Sequence, residues 1–236
     1  MKYKRVLLKL SGEAFGNKSG GLVFDFGAVN RLCREIRNAV KKGVEVGVVT
    51  GGGNIFRGAG SGDSGISRLK GDYIGMLATV INSLVLESLL RNSGCGARVL
   101  SAIETAEVAE TFTVRGAEDH FTAGRAVIFA GGTGNPYFST DSAAALRASE
   151  MRADVLLKAT KVDGVYSSDP EKDPDARFYR NLSYDEAIRK SLKVMDAAAF
   201  SICRENGIPI VVFNFEKEGM LEKALNGEDV GTLVSA

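Results

Sequence analysis

Three short apolar runs in this 236-residue chain each end in a glycine-rich loop: Leu10-Ser11-Gly12, Gly51-Gly52-Gly53-Asn54 and Gly131-Gly132-Thr133-Gly134-Asn135-Pro136. Glycine at the end of a strand lets backbone N–H groups approach an anion closely, and a following helix adds the positive end of its dipole. One such loop is commonly just a tight connection. Three of them, on parallel neighbouring strands, open on one sheet edge, where α/β proteins bind ligands, and suggest more phosphate than one mononucleotide carries.

The pattern between the loops alternates strand and helix, which predicts a central, mostly parallel sheet with helices on both faces, an α/β three-layer sandwich. Val6 to Leu10 reads as the first strand. Val29, Leu32, Cys33, Ile36 and Val40 recur at helical spacing until Gly43. Strands follow at Val44 to Val49, Ala97 to Leu100, Ala126 to Ala130, Val155 to Leu157 and Ile208 to Phe213. A long helix spans Tyr73 to Arg91, and another runs from Asp141 to about Met151. Ser183 with Glu186 forms a capping box, and a last helix begins near Asp196 and ends at Gly207. Polar turns cluster around Asp169-Pro170 and Asp173-Pro174. The length suits one domain over residues 1–236, with soft lobes at 1–150 and 151–236.

Composition removes several function classes. Thirty basic against 29 acidic residues leave a formal net charge of +1, so no global field grips nucleic acid or an anionic membrane. Cys33, Cys95 and Cys203 are widely separated and lack CxxC or His partners, which points to buried reduced thiols rather than disulfides or zinc. The N-terminus carries no signal-peptide pattern, and a cytoplasmic location follows as the expectation. Asn82, Ser83 and Glu87 interrupt the apolar stretch from Tyr73 to Leu90, which favours a core or interface helix over a membrane span. The sequons at Asn17 and Asn181 read as chance.

Known phosphate motifs fail in register. Gly16-Asn17-Lys18-Ser19 does not meet the P-loop spacing, and Gly58 to Gly62 lacks the dinucleotide fingerprint. Protein-kinase signatures and the G-x-S-x-G elbow are missing from the sequence, and its one histidine, His120, reads as a surface or capping residue. What remains is chemistry that needs no general base on the protein. Phosphoryl transfer to a phosphate qualifies, because the acceptor is already largely ionised, with a second pKa of about 6. Lys9 stands at the end of the first strand, where an ammonium group can reach a transferring phosphoryl. Lys158 stands at the end of another apolar run, and Arg57 follows the second glycine loop. Asp141 heads a helix beside the third loop, where it either caps that helix or orients the two lysines and the ion.

At these residues the chain resembles the bacterial uridylate kinases, a branch of the amino acid kinase family. The resembling segments are Leu7 to Ala14, Gly51 to Gly60, Gly71 to Thr79, Thr133 to Ala143, Lys158 to Tyr166 and Leu192 to Asp196. The segment around Asp72 and the loop Thr133 to Thr140 mark the uridylate branch, whereas the glycines and the N-terminal lysine mark only the broad family. The resemblance implies the amino acid kinase fold and transfer of the ATP γ-phosphoryl to UMP, giving UDP and ADP in pyrimidine nucleotide synthesis. It implies Lys9, Asp141 and Lys158 as the catalytic group. Lys9, Leu10, Ser11, Gly12, Gly53, Arg57, Thr160, Tyr166 and Asp169 are implied for ATP. Gly52, Asp72, Thr133, Gly134, Asn135, Pro136, Tyr137, Phe138, Ser139 and Thr140 are implied for UMP. Asp72 can accept ribose hydroxyls, and the loop can read the uracil edge. The resemblance further implies Mg²⁺ held mainly by ATP phosphates rather than by protein ligands, a homohexamer built from dimers, and UTP inhibition. The stretch Gly16 to Val23 departs from the segment tied to GTP activation in some relatives, which leaves GTP activation open. Two other readings stay open: a carboxylate or carbamate kinase of the same fold, and a nucleotide-sensing binding protein without catalysis.

Overall fold

The computed structural model describes residues 1–16, 21–57, 65–170, 172–190, 192 and 194–236. Residues 17–20 of the Gly16 to Val23 stretch, Gly58 to Gly60 of the second resembling segment, and Lys193 lie outside them. The first three strands of the sequence reading are β1 (Arg5–Leu10), β2 (Glu45–Thr50) and β3 (Ala97–Ser101). They are joined by β4 (Glu110–Thr111), β5 (Ala126–Ala130), β6 (Val155–Thr160), the pair β7 (Val165–Tyr166) and β8 (Phe178–Tyr179), β9 (Asn181–Ser183), β10 (Ile210–Asn214) and β11 (Thr232–Ser235). Among the described residues nine strands form one sheet, ordered β4-β3-β5-β2-β1-β6-β10-β11-β9. Within this sheet every pairing is parallel except β10 with β11. The three strands that feed the glycine loops, β1, β2 and β5, are consecutive neighbours. Their loops therefore open on one edge, as expected.

Helices α1 (Phe26–Lys41), α2 (Arg68–Asn92) and α7 (Met220–Asn226) cover one face; α3 (Val114–Thr122), α4 (Thr140–Glu150), α5 (Tyr184–Arg189) and α6 (Ala197–Glu205) cover the other. The strand alternation decides what each face receives. In β1, Val6, Leu8 and Leu10 enter the core under α1, whereas Leu7 enters the core under α4. Lys9 shares the Leu7 face by the same alternation. In β6, Val155, Leu157 and Ala159 face the first core and Leu156 the second, so Lys158 points toward α4 as well.

Several boundaries differ from the sequence reading, for local reasons. Helix α2 begins at Arg68, five residues before Tyr73, because the Ser67 hydroxyl caps it by accepting the Lys70 N–H. Asp72 is thus helical rather than in a loop. Ser183 accepts the Glu186 N–H at 3.1 Å, but the Glu186 carboxylate pairs with Lys190 at 2.6 Å, so half of the capping box forms. Helix α3 had no apolar signal long enough to announce it. His120 is not a surface residue: it is buried in the last turn of α3, with Nε2 2.9 Å from Glu110 and Nδ1 3.2 Å from Arg125. The cysteines are free and buried, and burial pushes the Cys33 and Cys203 thiols up to about 12.

By length and composition α2 is apolar enough to cross a membrane. Its packing on α1, β3 and β5 makes it a core helix here, and its polar residues are bonded within the fold.

Candidate active site

Parallel pairing places Lys9 directly opposite Lys158 on adjacent strands β1 and β6. Two ammonium groups side by side on one sheet face repel each other, and burial raises the cost. Asp141, in the first turn of α4, resolves the conflict. Lys9 Nζ lies 2.8 Å from its Oδ1 and Lys158 Nζ lies 2.9 Å from its Oδ2. Lys158 also donates to the Val194 carbonyl. All three side chains are at least four-fifths buried. Burial alone pushes the Asp141 carboxyl up, but the two lysines outweigh it and hold the group below the usual carboxylate range. Burial pushes the Lys158 ammonium down, and Asp141 opposes that shift only in part. Of the two readings of Asp141 left open by the sequence, the geometry supports the second: Ser139 caps α4, accepting the Asp141 and Ser142 N–H groups at 3.0 and 3.1 Å. Asp141 is left to face the lysines.

The triangle stands between two clefts. One, of about 920 Å³, is lined by Gly52, Gly53, Arg57, Asp72, Gly132, Thr133, Asn135 and Tyr137 to Thr140. The other, of about 630 Å³, is lined by Lys158, Thr160, Tyr166 and Asp169, with the turn between β7 and β8. Thr140 and Ser142, the neighbours of Asp141 in sequence, belong to the first cleft, and Lys158 to the second. One cleft therefore reaches the residues that flank Asp141 and the other reaches Lys158 itself. The N-terminus of α4 adds its dipole at the same place.

The glycine loops are close-packed rather than merely flexible. A methyl group on Gly12 would sit 2.4 Å from Gly53 N, and one on Gly51 2.8 Å from Gly12 N. The first two loops thus touch backbone to backbone, and glycine is required by approach. In the third loop Gly131, Gly132 and Gly134 have φ of +75°, +60° and +82°, the left-handed region that favours glycine.

The structure does not keep the sequence-derived groups wholly separate. Gly53 and Arg57, expected beside ATP, line the larger cleft together with Gly52 and Asp72. Arg57 is ion-paired with Glu13 from the first loop. The Leu10 side chain is buried in the opposite core, so only its backbone faces this edge, where its carbonyl accepts Gly51 N–H at 2.8 Å. Ser11 and Gly12 form the turn that follows Lys9. Gly134 and Pro136 belong to the third loop but do not line the cleft; Gly134 packs on the Ala102 carbonyl. Thr160 already donates to Val162 and Phe213 carbonyls at 2.8 and 3.2 Å.

Sequence reasoning passed over four residues that organise the site. Thr79 accepts the Gly131 N–H at 2.9 Å, and the fully buried Asn82 donates to the Gly51 carbonyl at 2.6 Å and pairs with Asn54. Asp196 caps α6 and accepts from both Ser139 and Ser142, tying α6 to the start of α4. Arg68 lines the larger cleft beside Asp72. The polar interruption at Asn82 was a visible signal, Asp196 stood at a predicted helix start and Thr79 closed a resembling segment, whereas Arg68 had no signal until α2 was placed.

Four similarities bear on this arrangement. The profile of the amino acid kinase family matches residues 4–214. A UMP kinase from Bacillus anthracis is 41% identical and superposes with a TM-score of 0.95, over 100% of this chain and 97% of that one. A UMP kinase from Ureaplasma parvum is 37% identical, with a TM-score of 0.93 and full coverage of both chains. A uridylate kinase from Archaeoglobus fulgidus is 30% identical with a TM-score of 0.74, again over both full chains.

Proposed function

The chain belongs to the amino acid kinase family, and on that premise we propose that it transfers the γ-phosphoryl group of ATP to UMP, giving ADP and UDP. The observation that carries the reading is the Lys9–Asp141–Lys158 triangle at the junction of two clefts, each large enough for a nucleotide. In an in-line transfer, an oxygen of the UMP phosphate attacks the γ-phosphorus and the bond to the β-phosphate oxygen breaks. No proton must be removed by the protein, because the attacking oxygen is already ionised near neutral pH. Lys9 and Lys158 neutralise charge on the phosphoryl oxygens, and Asp141 fixes both ammonium groups before reaction, so little reorganisation is needed. Transfer is direct, without a phosphoenzyme.

The smaller cleft, with Thr160, Tyr166 and Asp169, is assigned to the ATP nucleoside, and Lys9 to Gly12 to its phosphates. The larger cleft is assigned to UMP: Asp72 toward the ribose, Thr133 to Thr140 toward the uracil, Gly52 and the Gly53–Arg57 edge toward the phosphate. Mg²⁺ supplies further charge neutralisation when bound with ATP. Among the described residues no group of three or more His, Cys, Asp or Glu side chains is placed to hold a metal, and Asp141 is taken up by lysines. This donor set fits an ion held chiefly by the nucleotide phosphates. The same reading makes residues 1–236 one catalytic domain, places it in the cytoplasm and in de novo pyrimidine nucleotide (CTP/UTP) synthesis, assembles it as a homohexamer built from dimers, and makes UTP its inhibitor. GTP activation is not assigned, because the stretch Gly16 to Val23 departs in sequence from the segment tied to it in some relatives.

The test is ADP release with ATP, Mg²⁺ and one acceptor at a time: UMP, CMP, dUMP or acetylglutamate. The proposal requires strong preference for UMP. Preference for acetylglutamate would transfer the chain to the carboxylate kinases, and tight nucleotide binding without turnover would make it a sensor.

A further inference from the structure

Tyr137 has φ +71°, a conformation that a bulky L residue rarely adopts. Something must hold it there. Its N–H donates to Asp72 Oδ2 at 2.8 Å. Asp72 in turn accepts from Arg68 Nε, 3.1 Å from both carboxylate oxygens. The Arg68 guanidinium returns to Tyr137, 5.6 Å from the ring centroid, which closes the circuit. All three residues line the larger cleft.

Helix energetics do not account for Arg68. It is the first residue of α2, where a positive charge opposes the helix dipole, and an Arg preceding its Asp by four residues is the weaker order for such a pair. The pair is also well exposed on the arginine side, at 61%, so it adds little to stability. Its geometric effect is specific, however. Asp72 is fixed in rotation, and the strained loop is fastened to α2 at one amide and one ring.

We propose that Arg68 is a positioning residue for the acceptor: it orients the Asp72 carboxylate and, through Asp72 and the Tyr137 ring, holds the loop of residues 131–139 in the form that reads the nucleotide. The inference rests on the assignment of the larger cleft to UMP. Arg68 touches the loop and the carboxylate, not the reacting atoms. Its guanidinium contacts Asp72 and Tyr137, whereas the charges of the Lys9–Asp141–Lys158 group are paired with one another, so its loss should weaken acceptor recognition and leave the chemical step nearly intact.

Two measurements on Arg68→Ala and Arg68→Lys test it. The first is hydrogen exchange of the loop 131–139 in the ligand-free chain, with β1 and β6 as internal controls. The second is steady-state kinetics with UMP. Expected for Arg68→Ala are faster exchange confined to the loop, a KM for UMP raised about tenfold, kcat within about threefold, and an unchanged KM for ATP. Arg68→Lys keeps the charge but not the planar fork, and should move the same readouts in the same direction. Loop exchange equal to wild type in both variants would overturn the proposal, including when KM rises, because Arg68 would then act on the ligand directly. The exchange measurement stands without turnover. Loop loosening in a chain that ignores UMP would therefore sink the acceptor assignment and leave the clasp intact.

Discussion

Lys9 and Lys158 are tolerable as cross-strand neighbours because one carboxylate serves both. Removing it leaves two buried positive charges facing each other. Asp141→Asn should lower stability by about 3–5 kcal/mol at neutral pH, the usual cost of stripping one partner from a buried ion pair, and should abolish turnover. The pH dependence has a definite sign. Native Asp141 titrates below its ordinary value of 3.8, so its contribution is complete above that value and is lost as pH falls through the native one. Native Lys158 titrates below its ordinary 10.5, so the unfolded chain binds more protons in between and stability rises with pH there. In Asp141→Asn the lysines have lost their counter-charge, and the gain in melting temperature between pH 7 and 9.5 should exceed that of wild type. Equal gains would show that the ammonium groups do not depend on Asp141. Each lysine was legible in the sequence as a charge closing an apolar strand. Their grouping with Asp141 was expected too, but their cross-strand register was not, because it depends on the pairing of β1 with β6, whose residues Lys9 and Lys158 are far apart in the chain.

At the scale of elements, α2 is the organiser of the site. From one helix Asp72 holds the Tyr137 amide, Thr79 the Gly131 amide and Asn82 the Gly51 carbonyl, so two glycine loops hang from a single rigid support. Asn82→Leu keeps the branched outline of the side chain but strands a buried carbonyl. It should cost about 1–3 kcal/mol in denaturant unfolding and raise KM for the acceptor, while far-UV circular dichroism stays unchanged. Gly52→Ala attacks the same junction from the loop side. The new methyl would sit 2.7 Å from the Ala78 methyl and 2.9 Å from the Gly75 carbonyl, so the loop must leave the helix. Activity should fall at least about tenfold, with the loss read in kcat/KM for UMP; near-normal kcat/KM would mean the loop is not held by α2. The sequence revealed this helix as long and apolar, with odd polar breaks at Asn82 and Ser83. It did not reveal that Asn82 holds a glycine loop while Ser83 bonds Thr50 of β2, since helical phase relative to the sheet decides which residues face them.

At the scale of the whole molecule, the parallel centre of the sheet was legible because buried parallel strands are continuous apolar runs between glycine turns. The edges were not: β4, β7, β8 and β9 have two or three residues each, too few for any periodicity, and α7 is a helix of seven. One outward feature of the whole is an apolar stripe on α2, where Leu69, Tyr73, Leu77 and Ile81 follow one another at four-residue spacing and remain 42–50% exposed. Such a stripe supports the proposed assembly of like chains. Leu77→Asp should reduce the mass found by light scattering to that of a smaller species, and an unchanged mass would place the contact elsewhere. Lys9 is assigned to the transferring phosphoryl group rather than to nucleotide binding. Single-turnover transfer from ATP to UMP in Lys9→Ala, with both nucleotide affinities measured by titration on the same protein, separates the two roles. The transfer rate should fall by about a hundredfold or more with UMP affinity within about threefold of wild type. Transfer at the wild-type rate, or a loss explained wholly by weaker binding, would contradict it.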